Sequence, residues 1–119
     1  MLELLSDSEA NLVCFRAVGT LTEADYTEVF VPTMTDVLAG FPKFRLYADL
    51  SRLLDWDEAS RWETGSILNS NLPRFERAAV VGGPSWAGLA LMLREALPPA
   101  AYEFFTDGNQ KKALSWLKA

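Results

Sequence analysis

Three short apolar runs, spaced too far apart for hairpins, constrain the fold of this chain more than any other feature. They cover residues 12–18, 44–50 and 77–83, the last with its exit turn, and each contains few charges. Runs of this length and composition are typical of strands buried on both faces. The residues between them are numerous enough for the helical crossovers that parallel strands require. The sequence therefore predicts a largely parallel sheet.

The clearest helix signal lies between the first two runs. Thr22 is placed to cap the amino terminus, and Asp25 completes a capping box. Apolar residues then recur at helical spacing, namely Tyr26, Phe30, Met34, Val37 and Leu38. Pro32 interrupts this pattern, because proline removes a backbone hydrogen bond and clashes with the preceding turn. We expect a kink near residues 28–32 and the end of the helix at Gly40.

The remaining elements are an edge strand, a weak second helix, a third helix, a fifth strand and a last helix. The edge strand covers residues 2–5 and the fifth strand covers residues 101–105. The second helix is capped by Asp55 or Asp57, the third by Ser85, and the last by Asp107 or Asn109. The second helix follows a connection over residues 51–55 and is weak because it contains poor helix formers. The order is β-β-α-β-α-β-α-β-α, which predicts an α/β fold with a mixed five-stranded sheet and right-handed crossovers. The chain, residues 1–119, is expected to be one domain.

The residue types that are absent or rare in the chain exclude several kinds of catalytic and metal-binding site. It has no histidine and one cysteine, which excludes histidine-based triads, histidine general bases, disulfides within the chain and thiolate metal clusters. We therefore expect no enzymatic activity, no metal and no cofactor. The net charge of −5 argues against a nucleic-acid partner.

Targeting signals are also missing from the sequence. The amino terminus has neither the positive charge nor the apolar region of a signal peptide. The longest apolar stretch, residues 86–93, is much shorter than the roughly 20 residues that a membrane span needs. We therefore expect a soluble, cytoplasmic protein.

An ordered set of motifs along the chain resembles one protein family. Residues 18–26 (Val-Gly-Thr-Leu-Thr-Glu-Ala-Asp-Tyr) are similar to a Gly-x-Leu-Thr-x-x-Asp-Tyr pattern. The other matching features are the helix proline, the strand of residues 44–50 ending in Asp49, Trp62, residues 75–82 followed by Trp86, and residues 113–117. Together they resemble the SpoIIAA-like family of small bacterial proteins with a STAS-like fold. The resemblance implies a right-handed β-α superhelix around a mixed five-stranded sheet.

The resemblance also implies two functional expectations. Anti-sigma-factor antagonists of the wider STAS fold are switched by phosphorylation of a serine in an Asp-Ser-Ser-Gly-like motif after the third strand. Residues 49–54 read Asp-Leu-Ser-Arg-Leu-Leu, so this switch is not carried over. The family has further been suggested to bind apolar ligands or membranes through a mobile second helix.

One candidate binding site follows from the aromatic residues. Trp56 and Trp62 belong to the weak second helix and Trp86 begins the third, and with Phe30 and Met34 they are placed to line one apolar mouth. The alternative is ordinary core packing, since aromatic stripes are usually core. On the first interpretation residues 53–71 open and close over the ligand.

A second candidate is Asp49, at the carboxyl end of a central strand, where open α/β sheets bind ligands. Asp55, Asp57 and Glu58 follow it and offer an acidic cluster; the alternative is that Asp49 accepts structural hydrogen bonds and the others cap a helix. The turn of residues 82–85 is a weaker anion-site candidate.

Two strand residues bear on this region without being candidate sites. Cys14 is expected to be buried and inert. Arg16 needs an acidic partner if it is buried, and Asp49 is one guess.

Two functions remain open on the sequence. The first is a non-catalytic module that binds a small apolar molecule or touches a membrane surface. The second is a regulatory protein-interaction module of the STAS type, without the serine switch, which acts through a helix face or as a homodimer.

Overall fold

Five strands form one sheet in the computed structural model of the chain, which describes residues 1–56, 71–82 and 101–119. They are β1 (Leu2–Leu4), β2 (Leu12–Leu21), β3 (Phe44–Trp56), β4 (Phe75–Gly82) and β5 (Tyr102–Thr106). They lie across the sheet in this order, with β1 antiparallel to β2 and the other pairs parallel. The predicted mixed sheet, with its antiparallel edge strand and its third strand at the centre, is confirmed.

The helical segment after β2 is divided as its proline predicts. It consists of α1 (Glu23–Asp25), a π-helical turn (Tyr26–Phe30) and α2 (Val31–Gly40). In the turn, the Val31 amide donates to the Tyr26 carbonyl five residues earlier. Pro32, which has no amide to donate, then lies in the first turn of α2, where proline is tolerated. The end at Gly40 is confirmed, and the π-helical turn interrupts the α-helix just before Pro32, whereas the predicted kink of the helix axis stays a prediction.

The capping box at the start of α1 also forms as predicted. The Thr22 hydroxyl accepts from the Asp25 amide, and the Asp25 carboxylate accepts from the Thr22 amide at 2.9 Å. The same carboxylate accepts from the Leu2 amide of the edge strand at 3.2 Å. Burial raises the pKa of Asp25, but these hydrogen bonds outweigh it and hold the pKa below its ordinary value of 3.8.

We therefore expect the stabilisation by Asp25 to depend on pH. Because the folded-state pKa is depressed, the stabilising charge is fully present above pH 3.8 and is lost as the pH falls through the folded-state pKa. Asp25→Asn should lower the free energy of unfolding by about 1 kcal/mol near neutral pH, and this difference should shrink in acid. Urea denaturation across the pH range measures it. Asp36→Asn, at an exposed position of α2, is the control, and a pH-independent difference for Asp25→Asn would contradict the expectation.

The alternation of side chains along the strands divides the core into two clusters, one on each face of the sheet. The first cluster lies against α1, the π-helical turn and α2, and includes Val13, Phe15, Phe30, Met34, Phe44, Leu46, Leu50 and Leu53. The second lies against the last helix, α3 (Gln110–Lys118), and consists of Leu12, Cys14, Tyr47, Ala79, Val81, Ala113 and Leu117. Ala113 and Leu117 thus face inward as predicted.

Arginines anchor the ends of two helices. The Arg74 guanidinium donates to the carbonyls of Leu38 and Pro42, at 2.6 and 3.0 Å, where α2 ends. Arg45 donates to the Leu117 carbonyl and Arg77 to the Trp116 carbonyl, at the end of α3. Positive charge at a helix carboxyl terminus satisfies otherwise unpaired carbonyls and complements the helix dipole.

Several predicted boundaries are wrong. β2 does not end at Gly19 but continues to Leu21, and Gly19, with φ +69°, lies at a register irregularity between β2 and β3. The predicted connection over residues 51–55 is instead the continuation of β3 to Trp56, so Asp55 is a strand residue and not a helix cap. Trp56 is likewise a strand residue and not part of the second helix, and residues 53–56 of the segment predicted to open and close are paired with β2. The predicted second and third helices, including Asp57 and Ser85, lie outside the described residues. Asn109 takes the cap position of α3, although its side chain makes no capping hydrogen bond.

Candidate functional site

Asp49 is the one buried charged residue in the described ranges, with 6% of its surface exposed. Its carboxylate accepts from the Ser51 amide at 3.0 Å and from the Ser51 hydroxyl at 2.6 Å. A buried carboxylate is costly unless it is hydrogen-bonded, and this one finds its donors on its own strand.

The reason for this arrangement is a bulge in β3. Arg16 of β2 lies opposite Asp49, and Val18 lies opposite Arg52, so Leu50 and Ser51 together face one residue of β2. A bulge disrupts the ladder and leaves a residue unpaired. The Asp49 carboxylate supplies an acceptor for the Ser51 amide. Of the two alternatives open for Asp49, its contacts match the structural one.

Two further groups near Asp49 have raised pKa values. Burial, followed by the negative charges of Asp49 and its surroundings, moves the pKa of the Tyr47 hydroxyl above its usual range. Burial raises the pKa of the Cys14 thiol to about 11, and nearby Asp7 adds to the shift. The predicted burial of Cys14 is confirmed, and the raised pKa favours the protonated thiol near neutral pH, as the prediction of an inert cysteine requires.

The predicted partner of Arg16 is wrong. Its guanidinium binds Glu3 on the neighbouring strand β1, with N–O distances of 2.9 and 3.1 Å. The register of β1 and β2 places Glu3 directly opposite Arg16. Asp49 is also opposite Arg16 across the β2–β3 pair, but its carboxylate is engaged by Ser51.

Phe30 and Met34, the described members of the predicted apolar mouth, lie together in the first core cluster. Phe30 is 4% exposed and Met34 is fully buried. The ring of Phe30 contacts Phe15 at 5.2 Å and stacks on Tyr26 at 5.7 Å. Both residues follow the carboxyl end of β2 along the chain, and the π-helical turn carries Phe30. π-Helical insertions occur frequently at functional sites.

The structure does not bring Asp49 together with Phe30 and Met34. Asp49 shares the face of Tyr47, which belongs to the second cluster, whereas Phe30 and Met34 belong to the first. The side chain of Trp56, and all of Trp62 and Trp86, lie outside what the structure describes. A binding role for Phe30, Met34 and the three tryptophans stays a prediction.

Sequence reasoning missed Leu50 as a neighbour of the candidate site, and it placed Leu53 in the segment predicted to open and close rather than in a buried strand. Both are buried in the cluster that contains Phe30 and Met34. Leu53 was hidden because it falls in the segment predicted as a connection. The repeated leucines of residues 50–54 are the sequence signal that indicates a longer strand.

The acidic cluster and the anion-site candidate are only partly described. Asp55 is exposed at the end of β3, while Asp57, Glu58 and residues 83–85 lie outside the described residues. Within residues 1–56, 71–82 and 101–119, no three acidic or cysteine side chains converge as metal ligands do. In the same ranges no helix is both long and apolar enough to cross a bilayer.

Comparison with known proteins identifies a matching family and a similar solved structure. The sequence profile described as SpoIIAA-like matches residues 12–118. Among solved structures, the chain is similar to an uncharacterized protein of the DUF3478 family with a SpoIIAA-like fold from Shewanella loihica PV-4. The two share 26% identity with a TM-score of 0.69, over 98% of this chain and 90% of the other. No curated protein matches this sequence.

Proposed function

Because the chain belongs to the SpoIIAA-like family, we propose that it is a non-catalytic binding module for a small apolar molecule or the apolar part of a membrane surface. The observation that carries the proposal is the apolar cluster beneath the π-helical turn. Phe30 and Met34, which follow the carboxyl end of β2, share this cluster with Leu50 and Leu53, which lie in the carboxyl-terminal half of β3. Ligand sites in α/β sheets favour this end of the strands.

The absence of catalysis is part of the proposal, and the chemistry of the buried groups supports it. The Asp49 carboxylate is engaged by donors of its own strand, and the Cys14 thiol is protonated near neutral pH. A general base must reach a substrate proton, and a cysteine nucleophile must be a thiolate. Neither group meets its requirement in this arrangement.

The proposal has a finer part that rests on the sequence alone. The predicted second helix, which carries Trp62 and follows Trp56 at the end of β3, would cover the apolar molecule from the side opposite Phe30. It combines poor helix formers with large apolar side chains, a combination that suits an element that opens and closes. This segment is not needed for the test below, which uses described residues.

The binding proposal predicts that an uncharged apolar probe, N-phenyl-1-naphthylamine, gains fluorescence when it binds the wild-type protein. The Phe30→Leu variant should bind the probe at least about threefold more weakly than the wild-type protein, because the smaller side chain offers less contact area. Phe44→Leu is the matched control. Phe44 is equally buried in the same cluster but packs on Phe75 at 4.3 Å, at the other end of β3. We expect this variant to bind the probe like the wild-type protein.

Co-sedimentation with phosphatidylcholine vesicles distinguishes binding of a small apolar molecule from contact with a membrane surface. Probe binding without co-sedimentation indicates a small-molecule site, and co-sedimentation that Phe30→Leu weakens indicates a membrane contact. If the wild-type protein binds neither probe nor vesicles, the binding proposal is wrong. The regulatory interaction module then takes its place.

A further inference from the structure

The turn between β5 and α3 contains a residue pair that occurs nowhere else in the sequence. Asp107 is followed directly by Gly108, and both residues are exposed. The Asn109 amide donates to the Thr106 carbonyl at 3.1 Å, which closes the turn around this pair. Gly108 has φ +97°, a conformation that residues with a side chain rarely adopt. The pair is therefore held in a defined conformation and is accessible to water.

An aspartate that precedes a glycine can rearrange in such a position. The Gly108 nitrogen, which no neighbouring side chain shields, attacks Cγ of the protonated Asp107 carboxyl group. A bond between the nitrogen and Cγ forms, a bond between Cγ and oxygen breaks, and the hydroxyl group leaves with the amide proton as water. Addition of water to the other carbonyl of the cyclic succinimide then gives isoaspartate. Its main chain runs through Cγ and is one carbon longer just before α3.

The Gln110 side chain contacts both of the reacting groups. Its amide oxygen accepts from the Gly108 amide at 2.9 Å, and its amide nitrogen donates to the Asp107 carboxylate at 2.8 Å. A glutamine side chain makes both contacts at once because it carries an acceptor and a donor. We call these two hydrogen bonds the Gln110 clamp.

The clamp opposes the geometry that the rearrangement needs. Ring closure requires the attacking nitrogen to approach Cγ within about 3 to 3.5 Å in an aligned orientation. While both hydrogen bonds persist, the Gly108 amide and the Asp107 carboxylate are directed at the Gln110 side chain and not at each other. We propose that the Asp107–Gly108 bond is a site of isoaspartate formation and that the Gln110 clamp suppresses this modification in the folded protein.

Incubation of the purified protein in mildly acidic buffer tests the proposal, because the reaction uses the protonated carboxyl group. Peptide mapping by mass spectrometry with electron-transfer fragmentation locates and quantifies the isoaspartate. Gln110→Ala removes both hydrogen bonds and should accumulate isoaspartate at position 107 at least about threefold faster than the wild-type protein. Asp107→Ser removes the reacting carboxyl group and should accumulate none at this position.

Three controls separate the clamp from other effects of the substitution. Lys111→Ala, at the next and exposed position of α3, should react like the wild-type protein. In concentrated urea, which removes the clamp, the wild-type protein and Gln110→Ala should react at the same rate. Unmodified Gln110→Ala should also keep the wild-type rate of Cys14 labelling by a thiol reagent, because alanine favours the helix and α3 stays closed.

The other outcomes overturn the proposal. Equal rates for the folded wild-type protein and Gln110→Ala would mean that the clamp gives no protection, as would a wild-type rate that urea leaves unchanged. Isoaspartate at Asp7, which precedes Ser8, in place of Asp107 would assign the modification to another site. Faster labelling of Cys14 in unmodified Gln110→Ala would assign the protection to α3 as a whole. These results are independent of the apolar-probe experiment, which depends on Phe30.

Discussion

Asp49→Ala should lower the free energy of unfolding by about 2–3 kcal/mol, because the variant loses two hydrogen bonds from Ser51 to a charged acceptor and leaves the bulge amide without a partner. Asp49→Asn should cost distinctly less, about 1 kcal/mol, since the amide oxygen still accepts from Ser51. Urea denaturation followed by circular dichroism measures both values. The order of the two variants tests whether Asp49 acts as an acceptor within its own strand.

Ser51→Ala is the control for the hydroxyl contribution. It removes the 2.6 Å hydrogen bond from the hydroxyl but keeps the one from the amide, so its cost should lie below that of Asp49→Ala. Asp49→Ala should leave binding of N-phenyl-1-naphthylamine unchanged, because Asp49 faces away from Phe30. Unchanged stability together with lost probe binding would return Asp49 to the role of a ligand-binding residue.

The signals that the sequence reveals correctly are local ones. The capping box of Thr22 and Asp25, the interruption at Pro32 and the end at Gly40 each depend on residues within one or two turns. The strand cores also follow directly from their apolar runs, because a strand buried on both faces leaves few positions for charge. These features needed no knowledge of the tertiary structure.

The length of β3 could not be predicted from its pattern. Two bulges, at residues 50–51 and at Leu54, shift the side-chain alternation within a few residues, so residues 51–56 lack the period of two that identifies a strand. A hydrogen-bonded ladder with β2 supports this segment instead. The partner of Arg16 was missed for a similar reason, since the register of β1 depends on where the turn of residues 5–11 closes.

The split of the candidate site between two faces also needed the structure. Alternation along β3 separates Phe44 and Leu46 from Tyr47 and Asp49, and this much is visible in the sequence. Which of these faces receives the first helical segment is decided by the crossover from β2 to β3. The structure places Phe30 and Met34 over the face of Leu46, which removes Asp49 from their surroundings.

Leu117→Ala should produce the largest loss of stability among these predictions. Leu117 is fully buried between α3 and the sheet, and truncation of such a leucine costs about 3 kcal/mol. α3 has nine residues, a length at which a helix depends on tertiary contacts rather than on its own propensity. Leu117 and the carbonyl contacts of Arg45 and Arg77 supply those contacts.

Cys14 provides a readout specific to this packing. It is the only cysteine of the chain and lies fully buried in the cluster that contains Leu117. Labelling of the thiol by 5,5′-dithiobis(2-nitrobenzoic acid) therefore requires the protein to open. A loss of about 3 kcal/mol should raise the labelling rate roughly 100-fold, since 1.36 kcal/mol corresponds to a factor of ten.

Leu114→Ala is the matched control on the same helix. Leu114 is half-buried at the margin of the cluster, so its truncation should cost about 1 kcal/mol and raise the labelling rate by less than about tenfold. A labelling rate for Leu117→Ala within threefold of the wild-type rate would mean that α3 does not protect Cys14. The protection would then come from β1 and from Ser8, whose hydroxyl accepts from the Cys14 amide at 2.9 Å.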